Sequence, residues 1–208
     1  MSQQHEIMNM FATPLYRASL QRQFTQNEIE CFRQELADSV PAISNLSSRN
    51  KQVLNNPGLA QIKASLQEHL DTYLQSVFNT SNDVRLMLTQ SWLTLSRIGE
   101  SHHAHTHPNS VVSGVLYINL APSDGISFHR NEDNVWHELV AAQENYFNAK
   151  SYFVSTQVGD IVLFPSNVKH GVREVKENIE RVSLSFNSFF SGNIGREEFA
   201  NSLSISLP

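Results

Sequence analysis

The sequence predicts a mainly β protein, a sandwich or barrel preceded by helices, and two observations carry this prediction. From residue 83 onward, short runs that alternate apolar and polar residues are separated by turn signals, which is typical of β-sandwiches and barrels. Before residue 83, two segments carry apolar residues at helical spacing. The chain has no internal repeat, and its strands do not alternate with helices, so a parallel sheet is not expected.

The composition is that of a soluble globular protein with one domain. A chain of 208 residues is long enough to bury a sizeable core. The net charge of −5 and the scattered lysines and arginines give no reason to expect nucleic-acid binding. Cys31 is the single cysteine and cannot form an internal disulfide bond, which fits a reducing compartment. The chain starts without a secretory signal and has no apolar stretch near ~18 residues, so we expect a cytoplasmic protein without a membrane partner.

Residues 1–82 are predicted to form an opening strand and two supporting helices. Pro14 excludes a helix around it, so the opening segment is read as extended. Thr25 is a favourable N-cap and Glu28 stands where a capping box needs it, so a helix is expected over 26–39. Its apolar stripe consists of Ile29, Phe32, Leu36 and Val40.

A second helix is predicted over 57–79, after a polar loop over 42–56. Pro57 suits the first turn of a helix, because that position leaves its backbone nitrogen without a partner in any case. His69 lies beside the apolar stripe and is interpreted as a packing or surface residue rather than a ligand. The stripe consists of Leu59, Ile62, Leu66, Leu70 and Leu74.

Residues 83–190 are predicted to form the β core and residues 191–208 a C-terminal tail, all within a single domain 1–208. Each predicted strand is a short alternating or apolar run bounded by turn residues. The segment 136–147 is read as either a loop or a short helix. The predicted strands are 85–98, 112–120, 125–129, 151–155, 161–164, 170–175 and 181–190.

A histidine-rich stretch lies just before the second of these strands. It holds four of the chain's nine histidines, which are His102, His103, His105 and His107. His105 and His107 are two positions apart, and on a strand such residues point to the same face. Two imidazoles on one face form a chelating pair for iron or zinc. A solvated, histidine-rich loop is the alternative interpretation.

His170 and Arg181 are the other residues that suggest a site. His170 lies 65 residues after His105, and in a two-sheet barrel that separation can bring a late strand against an early one. Arg181 shares one strand face with Ser183 and Ser185. An arginine that faces the interior needs an anion, because an unpaired buried charge is costly. Otherwise Arg181 pairs with a carboxylate of the protein or faces solvent.

Four motifs in this order resemble the 2-oxoglutarate- and iron(II)-dependent oxygenases: HxH, SGVLYIN, GDIVLFPSNVKHGV and ERVSLSFN. They are most similar to an uncharacterised, prolyl-hydroxylase-like branch of that superfamily, over roughly residues 85–190. The resemblance implies a double-stranded β-helix, which is a cupin-like jelly roll, with N-terminal supporting α-helices. It also implies a dioxygenase that uses Fe(II), 2-oxoglutarate and O2 to hydroxylate a substrate, with release of succinate and CO2.

The resemblance assigns the metal ligands by position. His105 and His170 match the two histidine ligands of the family. His107 stands where the family usually has an aspartate or glutamate, so a ligand at this position leaves the iron site one charge unit more positive. An alternative register pairs His103 with His105, and Glu100 is then the nearest carboxylate.

The resemblance also assigns the cosubstrate contacts. Arg181 and Ser183 match the pair that binds the distal carboxylate of 2-oxoglutarate, and an arginine suits that role because its planar fork binds a carboxylate bidentately. Tyr117 matches a tyrosine of prolyl hydroxylases that donates to the same carboxylate. Asn187 is expected to point into the pocket near the metal.

Two other functions fit parts of the sequence. The spacing from Gly99 to His107 matches the start of a cupin motif, G(x)5HxH, so a three-histidine metalloprotein without 2-oxoglutarate is one alternative. That motif expects a glutamate where Val111 and Val112 stand, and it does not explain Arg181. The other alternative is a non-catalytic β-domain that binds a partner.

The sequence does not identify the substrate, which could be a small molecule or a peptide. Prolyl residues in a protein are a first trial by analogy with the family. His129, Arg130 and His137 lie between the metal-bearing segments and are candidates for either substrate contact or plain surface. A homodimer is compatible with the exposed sheet edges of a jelly roll, although the sequence shows no seam.

Overall fold

The computed structural model describes residues 6–131 and 139–207. The opening segment contains strand β1, Tyr16–Ser19, and helix α1, Gln26–Ala37. The predicted capping box is confirmed: the Thr25 hydroxyl accepts from the backbone N–H of Glu28 at 3.2 Å, and the Glu28 carboxylate accepts from the backbone N–H of Thr25 at 2.8 Å. This reciprocal pair fixes where the first helix begins.

The predicted limits of α1 and its apolar stripe need two corrections. The helix ends at Ala37, and Val40 lies in strand β2, Ser39–Pro41, rather than in the helix. Ile29 is 45% exposed, so it does not belong to the buried face. The N–H of the C-cap residue Asp38 donates to the carbonyl of Leu36, which closes the helix before Pro41 can interrupt it.

The second helix is present with irregular ends. Helix α2 runs over Ala60–Tyr73, with a 3-10 turn, Pro57–Leu59, before it and a π-helical turn, Leu74–Phe78, after it. The segment predicted as a polar loop contains strand β3, Leu46–Ser48, and a further 3-10 turn. All five predicted stripe residues of the second helix are buried, which confirms the helical spacing.

The remaining strands confirm the predicted β texture. The structure adds short strands at the histidines and in the predicted tail, and residues 139–147 form turns and coil rather than a helix. Residues 136–138 of that predicted segment lie outside the described residues. The strands are β4 Val84–Ser96, β5 His102–His105, β6 Val112–Asn119, β7 Gly125–His129, β8 Ser151–Ser155, β9 Asp160–Pro165, β10 Lys169–Val172, β11 Arg181–Ile194 and β12 Leu203–Ile205.

The strands form two antiparallel sheets. The larger has the order β1-β9-β6-β11-β4-β3-β2, with β12 paired to the far end of β11, and the smaller has the order β5-β10-β7-β8. One apolar cluster joins α1 and α2 to one face of the larger sheet, and a second cluster fills the space between the sheets. The mainly β prediction with N-terminal helices is therefore confirmed. No helix of the described residues is long and apolar enough to cross a membrane.

The alternation of side chains along the central strands places one face toward the helices and the other toward the second sheet. On β11, Val182, Leu184 and Phe186 belong to the helix-side cluster, as their shared strand face predicts. On β6, Val115 and Tyr117 belong to the cluster between the sheets. The opposite face of β11, which starts with Arg181, therefore faces the space between the sheets.

Candidate metal centre

Three histidines meet at one end of this space. Strand β5 supplies His105, the loop after it supplies His107, and β10 supplies His170, which lies directly opposite His105 in the ladder between β5 and β10. Each offers a ring nitrogen, and the three donor atoms lie within 4.8 Å of one another. The three predicted metal ligands are therefore brought together.

The geometry of one pair matches that of two ligands on a common metal ion. The Nε2 atoms of His107 and His170 are 3.2 Å apart, and the two rings stack at an interplanar angle of 13°. Two nitrogens that each bind a metal at about 2.0–2.1 Å are separated by roughly 2.8–3.0 Å at an octahedral angle and roughly 3.3–3.4 Å at a tetrahedral angle. The observed separation fits chelation.

Backbone carbonyls hold two of the imidazoles in a defined tautomer. Nδ1 of His105 is 2.8 Å from the carbonyl oxygen of His103, and Nδ1 of His170 is 2.9 Å from that of Val168. Since a carbonyl only accepts, each Nδ1 carries the proton and each Nε2 keeps a free lone pair. His107 is positioned through its backbone N–H, which donates to the carbonyl of Ser166 at 2.9 Å.

The surroundings keep these imidazoles uncharged. Burial, together with the neighbouring histidines, lowers the pKa of His107 to about 3 and that of His170 to about 4. The pKa of His105 is also lowered, chiefly by burial. The neutral imidazole is the form that binds a metal, so the triad is ready to ligate at neutral pH. Neutral nitrogen donors suit iron(II) as well as zinc.

A second triad overlaps the first. His102, His103 and His105 also bring donor atoms within 4.8 Å of one another. Both triads need His105, whose Nδ1 is engaged, so its single free Nε2 can serve one metal ion at a time. His103 is exposed and does not line the cavity, whereas His170 is buried and does. The better-formed site is that of His105, His107 and His170.

His102 is a cavity-lining residue that the sequence analysis did not single out. The register between β5 and β10 shifts. His105 lies opposite His170 and His102 lies opposite Val172, so three residue steps on β5 match two on β10. This β-bulge lets His102 and His105 point to the same face, and their rings stack with centroids 4.6 Å apart. Burial lowers the pKa of His102 to about 3, helped by the charges of nearby histidines and Arg181.

Gly171 explains why the bulge is accommodated. It lies opposite the extra residue of β5, and a Cβ on it would be 2.8 Å from the carbonyl oxygen of His102 and 3.2 Å from the backbone of Ala104. Any side chain at this position would push β5 away. A glycine directly after His170, within a short strand, was the sequence signal for this arrangement.

Arg181 lies on the wall of the same cavity and is 2% exposed. Its Nε donates to the carboxylate of Asp124 at 2.9 Å. The other two guanidinium nitrogens make long contacts of 3.4 Å, from Nη1 to the Ser183 hydroxyl and from Nη2 to the carbonyl of Gly125. Arg181 therefore has a carboxylate partner within the protein, while two of its nitrogens remain weakly bonded.

Tyr117 has an unpaired polar atom beside this arginine. Its hydroxyl is buried and has no hydrogen bond of good geometry in the described part of the chain, although the Thr156 hydroxyl, which is also buried and unbonded, lies close to it. The ring centroid of Tyr117 lies 5.8 Å from Cζ of Arg181. Burial raises the pKa of Tyr117, so the hydroxyl keeps its proton. A buried donor without a partner costs free energy, and an anion beside Arg181 would satisfy it.

Asn187 lies next to the cavity and contacts one of its lining residues. Asn187 is buried at the register position opposite Ser113 on β6, and its side-chain oxygen accepts from the Ser113 hydroxyl at 2.9 Å. Ser113 lines the cavity and Asn187 does not. The strand face continues beyond the cavity at this point, so Asn187 supports Ser113 instead of reaching a ligand.

The described residues proposed for substrate contact do not line the metal-binding cavity. His129 and Arg130 follow one another at the end of β7, outside the set that lines the cavity, and the Arg130 guanidinium donates to the carbonyl of Tyr146 at 3.3 Å. His137 lies outside the described residues. Trp92 and Phe164 form apolar walls of the cavity, and the ring of Trp92 lies 5.6 Å from that of His107.

The sequence matches one family profile across this site. The profile described as "Putative 2OG-Fe(II) oxygenase" matches residues 90–187, a span that includes the three histidines and Arg181. No curated protein matches the sequence at a significant level. The family match therefore rests on the segment that forms the candidate metal centre.

Solved structures share the fold at low sequence identity. An oxidoreductase of the 2OG-Fe(II) oxygenase family from Burkholderia pseudomallei has a TM-score of 0.56 at 15% identity, covering 84% of this chain and 83% of that one. HygX from Streptomyces hygroscopicus, with nickel and 2-oxoglutarate bound, has a TM-score of 0.56 at 15% identity, over 85% and 82%. A prolyl-4-hydroxylase from Pseudomonas putida has a TM-score of 0.52 at 19% identity, over 84% and 92%. These neighbours confirm the double-stranded β-helix.

Proposed function

We propose that this chain, which matches the 2-oxoglutarate- and iron(II)-dependent oxygenase profile over residues 90–187, is a hydroxylase of that superfamily with a three-histidine iron site. His105, His107 and His170 would hold the iron, and Arg181 would bind the distal carboxylate of 2-oxoglutarate. When bound, iron and dioxygen supply the oxidative decarboxylation of 2-oxoglutarate to succinate and CO2, coupled to hydroxylation of a C–H bond. The neutral, preorganised imidazoles of this chain fit that metal.

The observation that supports this function best is that a metal-binding triad and an anion-binding arginine line one cavity. We propose that 2-oxoglutarate binds with its 2-oxo acid end at the metal and its distal carboxylate at Arg181. Each charge-assisted hydrogen bond from the guanidinium would contribute about 1.5–3 kcal/mol. The unpaired hydroxyl of Tyr117 and the hydroxyl of Ser183 would complete the carboxylate site.

The other cavity residues would orient the reactants and keep water out. Trp92 packs against His107, and Phe164 packs against His170 with ring centroids 4.5 Å apart. Apolar walls of this kind limit the movement of the ligands and protect reactive species from side reactions with water. His102 is stacked on His105 and would limit the rotation of that ligand as well.

The cupin alternative explains less of the cavity. Three histidine ligands suit a cupin-type metalloprotein, but that function leaves the buried arginine and the unpaired hydroxyl of Tyr117 without a purpose. A non-catalytic domain likewise gives no reason for a buried cluster of three neutral imidazoles whose donor atoms lie within 4.8 Å of one another. We therefore favour the oxygenase.

One structural neighbour is named a prolyl-4-hydroxylase, so peptides that contain proline are a sensible first class to test. This choice rests on analogy of fold, and folds of this kind host many substrates. Hydroxylation as such, rather than another oxidation, is also part of the proposal.

The proposed function is tested by measuring succinate released by the iron-loaded protein with 2-oxoglutarate under air. We expect slow release without a substrate, faster release when an accepted substrate is added, and none when iron or 2-oxoglutarate is left out. Peptides with and without proline, matched in all other residues, test the substrate class separately. Absence of iron-dependent succinate formation under every condition would contradict the proposed function.

A further inference from the structure

We propose that Asp124 is a positioning residue for the cosubstrate: it holds Arg181 by Nε, so that the Nη1 and Nη2 edge of the guanidinium is presented to the distal carboxylate. This inference rests on the proposed function and concerns a residue that lies outside the metal-binding cavity. Asp124 is not among the residues that line the metal-binding cavity, and it lines a separate cavity instead.

One nitrogen of the Arg181 guanidinium is held more closely than the other two. The Asp124 carboxylate accepts from Nε at 2.9 Å, whereas Nη1 and Nη2 have contacts no shorter than 3.4 Å. An arginine binds a carboxylate through two adjacent N–H groups of its fork. With Nε held from behind, the fork that is left for a ligand is the Nη1 and Nη2 pair, next to Ser183 and Tyr117.

Asp124 is itself held in place by hydrogen bonds to the backbone. Its second carboxylate oxygen accepts from the backbone N–H of Gly125, and its carbonyl accepts from the N–H of Thr156 at 3.0 Å. A side chain at Gly125 would overlap the carbonyl of Val154, so the turn lies as close to β8 as a glycine permits. Asp124 is 12% exposed and Arg181 2% at their side chains, so water competes little for this contact.

The negative charge of Asp124 and its hydrogen bond to Arg181 have opposite effects on the affinity for 2-oxoglutarate. Arg181 is the sole residue with a permanent charge among the described residues that line the cavity, and Asp124 neutralises it from behind. By charge alone, Asp124 opposes the binding of an anion, and its removal should tighten 2-oxoglutarate. If Asp124 acts by orienting Arg181, its removal should weaken 2-oxoglutarate instead. The direction of the change therefore separates the two roles.

The experiment is a calorimetric titration of 2-oxoglutarate into manganese-loaded protein. For Asp124→Ala we expect the dissociation constant to rise about tenfold or more, while manganese affinity stays within about twofold. Asp124→Asn keeps an oxygen that can accept from Nε, so it should retain affinity within about threefold of wild type. Should Asp124→Ala not fold, Asp124→Ser replaces it, because the serine side chain is too short to reach Nε.

A second ligand makes the test specific to the distal carboxylate. 2-Oxobutanoate keeps the 2-oxo acid group and lacks that carboxylate, so its affinity should not change in Asp124→Ala. Glu180→Gln is the matched control, because Glu180 precedes Arg181 in the chain but pairs at the surface with Arg97 at 2.9 Å. Its 2-oxoglutarate affinity should equal that of wild type.

Three outcomes overturn the inference. Asp124→Ala binding 2-oxoglutarate as tightly as wild type or more tightly would exclude positioning, and equal losses for 2-oxoglutarate and 2-oxobutanoate would indicate a general structural effect. An Asp124→Asn variant as weak as Asp124→Ala would contradict the hydrogen-bond role. Failure of the proposed function is distinguishable, since manganese-loaded wild type would then not bind 2-oxoglutarate at all.

Discussion

The Nε2 atoms of His107 and His170 lie 3.2 Å apart, although the two residues are 63 positions apart in the chain. In the metal-free protein this distance fits a hydrogen bond between two neutral rings. Nδ1 of His170 donates to the carbonyl of Val168, so Nε2 of His170 accepts and Nε2 of His107 donates. Burial lowers the pKa of both residues, so neither ring is charged near pH 7, and a metal ion that displaces the shared proton meets two neutral nitrogen donors.

Alanine variants of the triad test the ligand set. We expect His105→Ala, His107→Ala and His170→Ala each to weaken manganese or iron(II) binding by at least tenfold, because each removes one of three protein donors. Calorimetry under anaerobic conditions measures the affinity. His69→Ala is the control, since His69 hydrogen-bonds the Tyr16 hydroxyl at 2.9 Å on the helix side of the larger sheet and is not part of the triad. Unchanged affinity in any triad variant would remove that residue from the set.

Position 107 also tests whether a carboxylate can replace the third imidazole. His107→Asp is expected to bind iron(II) more tightly than His107→Ala, because it restores an anionic oxygen ligand of the usual facial triad. His107→Asn has nearly the same shape without the charge, and it should stay close to the alanine variant. If aspartate and asparagine give the same affinity, the carboxylate does not reach the metal.

The bulge beside His105 is expected to be essential for the shape of the site. Gly171→Ala should weaken metal binding several-fold and lower the free energy of unfolding by about 1–3 kcal/mol, because the new methyl group crowds the backbone of β5. Gly99→Ala is a useful comparison. Its Cβ would meet nothing within 4 Å, although a φ of +81° makes alanine strained there, so it should lower stability and leave metal affinity unchanged.

The stability of the metal-free protein should fall as the pH decreases from about 7 to about 4. The unfolded histidines take up protons near their ordinary pKa of about 6.5, whereas His107 and His170 remain neutral in the folded state until about pH 3 and 4. The unfolded state therefore binds more protons in this range, which favours unfolding at lower pH. Urea unfolding at several pH values measures the effect.

A neutral variant isolates the contribution of one histidine to that pH dependence. His107→Gln cannot take up a proton in either state, so the stability of this variant should depend on pH less steeply, by up to about 1.4 kcal/mol per pH unit. His69→Gln is the comparison. Burial lowers the pKa of His69 as well, but no neighbouring histidine contributes to that shift. Equal slopes for wild type and His107→Gln would mean that His107 is not held neutral in the folded protein.

Much of the fold and the metal triad could be predicted because strands have a period of two. The alternation of side chains along β11 predicted that Arg181, Ser183 and Ser185 share one face of the strand. These three residues line the cavity, and the apolar residues of the other face pack on the helices. The pairing of His170 with His105 followed from the same two-sheet topology. These features depend on regular backbone, which local sequence indicates well.

The missed features depend on irregular backbone or on partners distant in sequence. The bulge interrupts the regular alternation of side chains along β5. His102 therefore faces the cavity in place of His103. Asp124 contacts Arg181 across 57 positions, and no local pattern marks that pairing. Strand β3 lies in a polar segment and forms because it pairs with β4, so tertiary contacts override its weak propensity.

The most direct test of the central claim is a calorimetric titration of 2-oxoglutarate into manganese-loaded wild type and Arg181→Ala. Removing the guanidinium deletes two charge-assisted hydrogen bonds, so we expect the dissociation constant to rise roughly a hundredfold or more, with manganese affinity nearly unchanged. Arg181→Lys should be intermediate, because it keeps the charge and loses the fork, and Ser183→Ala should lose less than Arg181→Ala. If the manganese-loaded wild type does not bind 2-oxoglutarate, or if Arg181→Ala binds it as tightly as wild type, the proposed cosubstrate site is contradicted.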